Sequence, residues 1–276
     1  GPNYVVPPTR AASVVSVHDL TAVHFPELAT ADTLAYPRLI QRALDRGAWV
    51  QTPSSFVRNE VIDHFRVDPD RVVRVPLGVR PVAAGDAEAG QRLAGGDRYV
   101  LALGTIEPRK DLPTLVRAFD FVGDDDPGVR LVVAGQDGWG AEAFEVALRG
   151  SRHRERIVRL GWVSDHDREA LLRGASVYAY PSIYEGFGFP PLEAMSADVP
   201  VVTTATGSLP EVAGPGADLV PVGDADALAA SLARVLSDDE HRRDLVARGR
   251  EVVARHSWDT TAEQFVALLR RVADTR

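Results

Sequence analysis

Tyr99-Val100-Leu101-Ala102-Leu103-Gly104-Thr105-Ile106-Glu107-Pro108-Arg109-Lys110-Asp111 joins a wholly apolar run to a glycine, a proline and two adjacent cations. A short apolar run closed by glycine reads as a strand, and the pattern over 111–121 reads as a helix. Strand-to-helix turns of this kind are where parallel α/β proteins hold phosphate. Lys110 is the only lysine in the 276-residue chain; every other member of its 31 Lys and Arg side chains is arginine. Lysine binds phosphate as a compact point charge. A compositional reading stands beside the functional one. Ala, Arg, Asp, Gly and Val dominate, as in a GC-rich genome with few lysine codons, and a single lysine must fall somewhere.

Outward from this turn, short apolar runs alternate with helical patterns. Strands are expected at Ser13–Val17, Ala48–Gln51, Arg71–Val75, Tyr99–Leu103, Arg130–Ala134, Ile157–Leu160, Ser176–Tyr180, Val199–Thr203 and Asp218–Val220. Helices are expected near 34–45, 55–65, 111–121, 140–149, 165–174, 190–197, 208–213, 224–236, 239–255 and 258–273. Apolar strands alternating with helices predict an α/β fold with parallel sheets covered on both faces. Ser208-Leu209-Pro210-Glu211 reads as a capping box. After Ser257, residues Ala262, Phe265, Val266, Leu269 and Val272 read as one helical face.

Small and polar residues over 81–97 read as an interdomain linker. Six strands follow it, enough for a doubly wound domain over 98–256. Only three precede it, so residues 1–80 are expected to be the C-terminal part of a larger first domain, the chain beginning in mid-domain. Residues 257–276 form the last helix.

A net charge of −8 argues against a general nucleic-acid binder. The absence of cysteine excludes a disulfide framework and cysteine-ligated metal. No apolar stretch reaches the roughly 18 residues of a spanning helix, and residues 1–10 are polar and proline-rich, unlike a signal peptide.

Three groups follow strands: His18-Asp19, Gly104–Lys110 and Glu185-Gly186-Phe187-Gly188. Ligands bind beyond the carboxyl ends of strands in open parallel sheets, so all three are candidates for one cleft. In Glu185-Gly186-Phe187-Gly188-Phe189-Pro190-Pro191-Leu192-Glu193-Ala194-Met195, two glycines permit close backbone approach and two prolines open a helix whose remaining N–H groups and dipole favour an anion. Glu193 reads either as a hydroxyl-binding carboxylate or as a glutamate compensating the helix dipole. Glu185 reads as a ligand group or a solvated loop acid. Asp19 could orient His18, bind a hydroxyl or cap the next turn. His24, His64, His153, His166, His241 and His256 lack metal spacing and read as structural or solvated. Trp162 and Trp258 read as packing groups, and Asp124-Asp125-Asp126 as a solvated surface turn.

Glu185 and Glu193, seven residues apart within this stretch, resemble the E-x7-E signature of family 4 of the retaining glycosyltransferases, also called group 1. Gly104–Lys110 is similar to that family's G-T-x-E-P-R-K segment. Ser208–Val212, Val17-His18-Asp19-Leu20 and Thr52-Pro53-Ser54-Ser55-Phe56 resemble further family segments, so the likeness runs from about residue 10 to the C-terminus. It implies a GT-B fold: two Rossmann-like doubly wound parallel-sheet domains facing across a cleft, the first incomplete here, with the last helix crossing back to the first domain.

The resemblance also implies roles. Arg109 and Lys110 would hold the donor diphosphate, Glu193 the ribose, and Glu185 the sugar. The Gly186–Gly188 backbone, including Phe187, would line sugar and phosphates, with Gly104, Leu192 and Asp19 among the donor contacts. His18 would reach the sugar, and Val163 would lie where the base sits. The implied protein is a bacterial, cytoplasmic hexosyltransferase of polysaccharide biosynthesis, acting at the inner face of the plasma membrane in one reading, with peripheral membrane contact through an N-terminal region. It needs no cofactor or metal. Its partners are a nucleotide-sugar donor, with GDP-mannose favoured over UDP- or dTDP-sugars, and a glycan or lipid-linked acceptor, with no nucleic acid. A non-catalytic nucleotide-sugar-binding module, or an inactive fragment, is the competing class.

Overall fold

A computed structural model describes residues 4–7, 9, 11–82 and 86–275. Its first half carries strand β1 (Val14–Ser16), helices α1 (Thr21–His24) and α2 (Tyr36–Asp45), β2 (Trp49–Thr52), α3 (Ser55–Phe65) and β3 (Val72–Arg74). The strands pair in parallel in the order β1-β2-β3. Val15, Val17 and Val50 from this sheet pack with Ile40 of α2 and Val57 and Val61 of α3.

The second half runs α4 (Ala87–Ala94), β4 (Tyr99–Leu103), α5 (Leu112–Asp125), β5 (Arg130–Ala134), α6 (Glu142–Gly150), β6 (Ile157–Gly161), α7 (Asp165–Gly174) and β7 (Val177–Tyr180). It continues through α8 (Phe189–Ser196), β8 (Val201–Thr204), α9 (Leu209–Val212), β9 (Ala217–Val220), α10 (Ala225–Ser237) and α11 (Asp239–Ala254), and α12 (Trp258–Asp274) closes the chain. Six parallel strands lie in the order β6-β5-β4-β7-β8-β9. One face packs on Leu115, Phe119 and Leu232, the other on Leu171, Leu192 and Leu209. Strands buried on both faces must be apolar at every position, hence Val100-Leu101-Ala102 and Leu131-Val132-Val133. The direction of winding reverses between β4 and β7, and their carboxyl ends are the switch point where doubly wound sheets bind ligands.

The 81–97 stretch, expected to be a linker, contains α4; its residues 83–85 lie outside the described residues. Asp86 caps the helix by accepting from the Ala89 amide, and α4 packs on α7. A Cβ on Gly90 would lie 2.1 Å from the Ala170 carbonyl oxygen, and one on Gly174 would lie 2.7 Å from that of Ala87. The small residues serve close helix crossing, which composition alone does not distinguish from flexibility.

Other expectations shift. On α12 the buried residues are Thr261, Leu268 and Val272, while Val266 and Leu269 are exposed. Leu268 and Val272 pack on Val14, Trp49 and Val75, so α12 lies against the first sheet. Asp124 and Asp125 belong to the last turn of α5 and do not form a loop; Asp124 pairs with Arg152 and His153, Asp126 with Arg98. Trp162 is 74% exposed and packs no core, whereas Trp258 stacks on Phe189.

Replacing Gly90 with Ala should gain roughly 1 kcal/mol of helix propensity. The displacement of α4 from α7 outweighs it, and the expected net loss is on the order of 1–3 kcal/mol. Urea unfolding measures this; a gain in stability would show that α4 stands off from α7.

Candidate active site

The turn after β4 is shaped by its own residues. Pro108–Lys110 form one 3-10 turn, and Asp111 adopts left-handed backbone (φ 44°) and caps α5 through the Thr114 amide. This presents Arg109 and Lys110 toward the loop that follows β7. The Ile183 amide donates to the Arg109 carbonyl oxygen (2.9 Å), tying the two loops together.

Glu185 sits between the two cations. Its Oε1 forms an ion pair with Arg109 Nη1 at 2.5 Å and accepts from Lys110 Nζ at 2.7 Å and the Tyr180 hydroxyl at 2.7 Å. Lys110 Nζ also donates to the Tyr180 hydroxyl at 2.5 Å, and Arg109 Nη2 to Glu107 Oε1 at 2.7 Å. The side chains of Arg109, Lys110 and Glu185 are 22%, 12% and 11% exposed. Burial alone would raise the Glu185 carboxyl, but Lys110 and Arg109 outweigh it and hold its pKa below the ordinary carboxylate value. No hydrogen bond from the described residues reaches Glu185 Oε2, which leaves one carboxylate oxygen free for a ligand. Tyr180, the last residue of β7, was missed by sequence reasoning. Its only signal is its place at the end of a strand bordering the switch point.

Glu193 lies in the first turns of α8 and is held by Arg168 of α7, Oε2 to Nη1, at 2.7 Å. Burial raises its pKa against the pull of Arg168. Arg168, also missed, is a cationic neighbour of Glu193, with the charge of Arg80 also acting on it. Pro190 and Pro191 lack N–H groups, so the free first-turn donors of α8 are those of Gly188 and Phe189.

Two expected donor contacts carry buried side chains. The Leu192 side chain is fully buried in the core, and the Phe187 ring packs edge-on against Phe189 and His256. Both belong to the core cluster on one face of the second sheet. Gly104 is exposed beside Lys110, and Val163 is half-buried against the core beyond β6.

The first half reaches this site through its backbone. A Cβ on Gly186 would lie 1.9 Å from the His18 carbonyl oxygen, so only glycine allows this approach. The His18 ring meets Tyr4 edge-on, and burial lowers its pKa against the nearby Asp19. Asp19 accepts from the Thr21 amide (2.9 Å) and the Tyr4 hydroxyl (3.0 Å), so it caps the next turn, and no bond to His18 orients that ring.

Further contacts join the halves at α3. The Ser54 hydroxyl donates to the Gly186 carbonyl at 2.8 Å. Glu211 accepts from the Ser55 and Phe56 amides and from Arg74. The expected capping box at Ser208 is therefore absent. Its glutamate caps a helix in the other half, and the Ser208 hydroxyl donates to the Glu185 and Phe187 carbonyls.

A cavity of about 260 Å³ opens between the halves, with Asp19, Tyr36, Glu107, Arg109 and Trp139 in its wall. A larger one, about 620 Å³, lies at the opposite, amino ends of the strands beside Arg98, Asp198 and Arg250, and contains none of the site residues. Among the described residues no cluster of three or more His, Asp or Glu side chains could hold a metal ion, and no helix is long and apolar enough to cross a membrane.

Two parallel α/β sheets, with the cationic turn at the switch point of the second, define the GT-B class. Residues 86–252 match the family model described as glycosyl transferases group 1. The chain belongs to this family. It is 33% identical to O-antigen chain mannosyltransferase B of Escherichia coli, over 96% of this chain and 72% of that protein. It is 34% identical to the phosphatidyl-myo-inositol mannosyltransferase of Mycobacterium leprae, over 73% of this chain but only 54% of that protein. Among solved structures it resembles sucrose-phosphate synthase of Thermosynechococcus elongatus, with a TM-score of 0.78 and 26% identity over 95% of this chain and 68% of that one.

Because the Glu185 pKa is lowered in the folded chain, its ion pairs stabilise the fold above the ordinary carboxylate value of 4.5, and this contribution is lost as pH falls through the folded value. The stability gap between the parent and Glu185→Gln should therefore be widest near neutral pH and narrow toward about pH 3. Urea unfolding across that range checks it; a gap that does not change with pH would contradict the ion-paired state.

Proposed function

We propose that this chain is a retaining hexosyltransferase that moves mannose from GDP-mannose to a glycan or lipid-linked glycan acceptor on the cytoplasmic side of the membrane. One observation carries the reading: Arg109, Lys110 and Tyr180 converge on Glu185 Oε1 at the switch point and leave Oε2 open. The mannosyltransferase relatives support the choice of sugar.

Cleaving a glycosyl diphosphate leaves negative charge on the departing phosphates. Arg109 and Lys110, with the Gly188 and Phe189 amides at the start of α8, would stabilise that charge without a metal. Phosphate brought beside the cations places the sugar against the Gly186–Gly188 backbone. As the sugar carbon becomes oxocarbenium-like, the acceptor attacks from the face the diphosphate leaves, and a phosphate oxygen takes its proton. Glu185 Oε2 positions and stabilises the sugar and forms no covalent bond. Glu193 binds the ribose hydroxyls, beside Arg168.

Lys110→Ala should lower kcat/KM by roughly 30- to 1000-fold, equivalent to about 2–4 kcal/mol of transition-state stabilisation. Lys110→Arg should also lower it, because a planar fork does not replace a compact ammonium. Kinetics of Lys110→Ala within about twofold of the parent would remove the phosphate role. Calorimetry with GDP, UDP and dTDP tests the donor class. GDP binding that weakens in Lys110→Ala and Glu193→Ala is expected, as is activity that survives EDTA. Preference for UDP or dTDP would replace the donor, and a folded chain that binds none of the three would favour a non-catalytic module.

A further inference from the structure

Tyr184, immediately before Glu185, is anchored to the other half of the molecule. Its ring is 4% exposed and packs against His24 and Phe25 after β1 and Phe56 of α3, at centroid distances of 5.9, 5.5 and 5.9 Å. Its hydroxyl accepts from the Leu20 amide at 3.0 Å and donates to Glu60 Oε2 at 2.6 Å. The other oxygen of Glu60, Oε1, pairs with His24 Nε2 at 2.8 Å. The Tyr184 carbonyl accepts from Arg109 Nη1 at 3.0 Å. One residue thus holds the first half by its side chain and the phosphate-gripping turn by its backbone.

A phenylalanine could fill the same ring cage. The hydroxyl has a different task, because it satisfies Glu60 Oε2, a partly buried carboxylate oxygen that is costly to leave without a donor. Burial pushes the Glu60 pKa up to about 7, opposed by the Tyr184 hydroxyl, with Asp19 adding to the rise. The platform beneath is fixed independently, since Glu211 caps α3 and the Ser54 hydroxyl holds the Gly186 carbonyl. Adjacent Cα atoms are only about 3.8 Å apart, so a clasp on Tyr184 constrains the backbone from which Glu185 extends.

We propose that Tyr184, gripped by Glu60 of α3, is a positioning residue whose clasp between the halves holds the Glu185 carboxylate at the donor sugar. This rests on the transferase reading for its effect on turnover, and the structural part stands apart from it.

The test compares Tyr184→Phe, Glu60→Ala and Glu60→Gln with the parent. Amide hydrogen exchange is followed across residues 183–188, together with GDP calorimetry and GDP release from GDP-mannose. In Tyr184→Phe and Glu60→Ala, exchange in this loop should rise about fivefold or more, the size of one net hydrogen bond. In the same two variants kcat should fall about tenfold or more while GDP affinity stays within about twofold, since Arg109 and Lys110 remain and only the sugar-facing carboxylate is misplaced. Glu60→Gln keeps an acceptor for the hydroxyl and should hold both readouts within about threefold of the parent. Unchanged exchange in Tyr184→Phe overturns the clasp. So does a Glu60→Gln chain as impaired as Glu60→Ala, or GDP affinity falling in step with kcat. If the parent binds no nucleotide, the transferase reading fails, and the exchange comparison still decides the clasp.

Discussion

Charge compensation around Glu185 joins the two loops at the centre of the second sheet. A carboxylate 11% exposed is stable there only because Arg109 and Lys110 sit against the same oxygen. The converse also holds, because Lys110, itself 12% exposed, would otherwise bury an unpaired ammonium. The turn after β4 and the loop after β7 are therefore mutually dependent. Their strands are neighbours only because the winding reverses between them, so the topology brings together groups 75 residues apart in sequence.

That pair of loops is in turn fitted to the first half at α3. The helix receives a cap from Glu211, offers Ser54 to the Gly186 carbonyl, and places Glu60 under Tyr184. Gly186 is the point of closest approach, with its backbone against the His18 carbonyl. Motifs that look unrelated along the chain, Thr52–Phe56, Tyr184–Gly188 and Ser208–Val212, are parts of one junction.

The fold was legible because its signal is local. Apolar runs such as Tyr99–Leu103 and Arg130–Ala134 fall on β4 and β5 without a shift, since buried parallel strands exclude polar residues along their length. What failed was nonlocal. The Gly- and Ala-rich stretch holding α4 reads as linker because helix crossing and chain flexibility both select small residues. The Ser208–Glu211 spacing fits a capping box, yet the glutamate finds amides in the other half, which sequence spacing does not register. Phe187 and Leu192 sit inside a recognisable motif, and their burial follows from the packing of α8 on the sheet. Arg168 and Tyr180 carry no motif signal, because their partners come from other elements.

The cluster's own charges nearly cancel: Arg109 and Lys110 are offset by Glu185 and Glu107. This shapes what it can do for the proposed reaction. A diphosphate arriving beside two cations already paired gains less in the ground state than it would from free cations. As the glycosidic bond breaks, charge separates, negative on the phosphates and positive on the sugar. A fixed array with cations on one side and a carboxylate on the other matches that separation at both ends. The carboxylate is held against swinging to follow the phosphate's countercharges, since two hydrogen bonds and the Arg109 ion pair fix Oε1. In the proposed reaction, the same contacts that hold these loops together would favour the separated charges over the intact donor, the condition for accelerating the step.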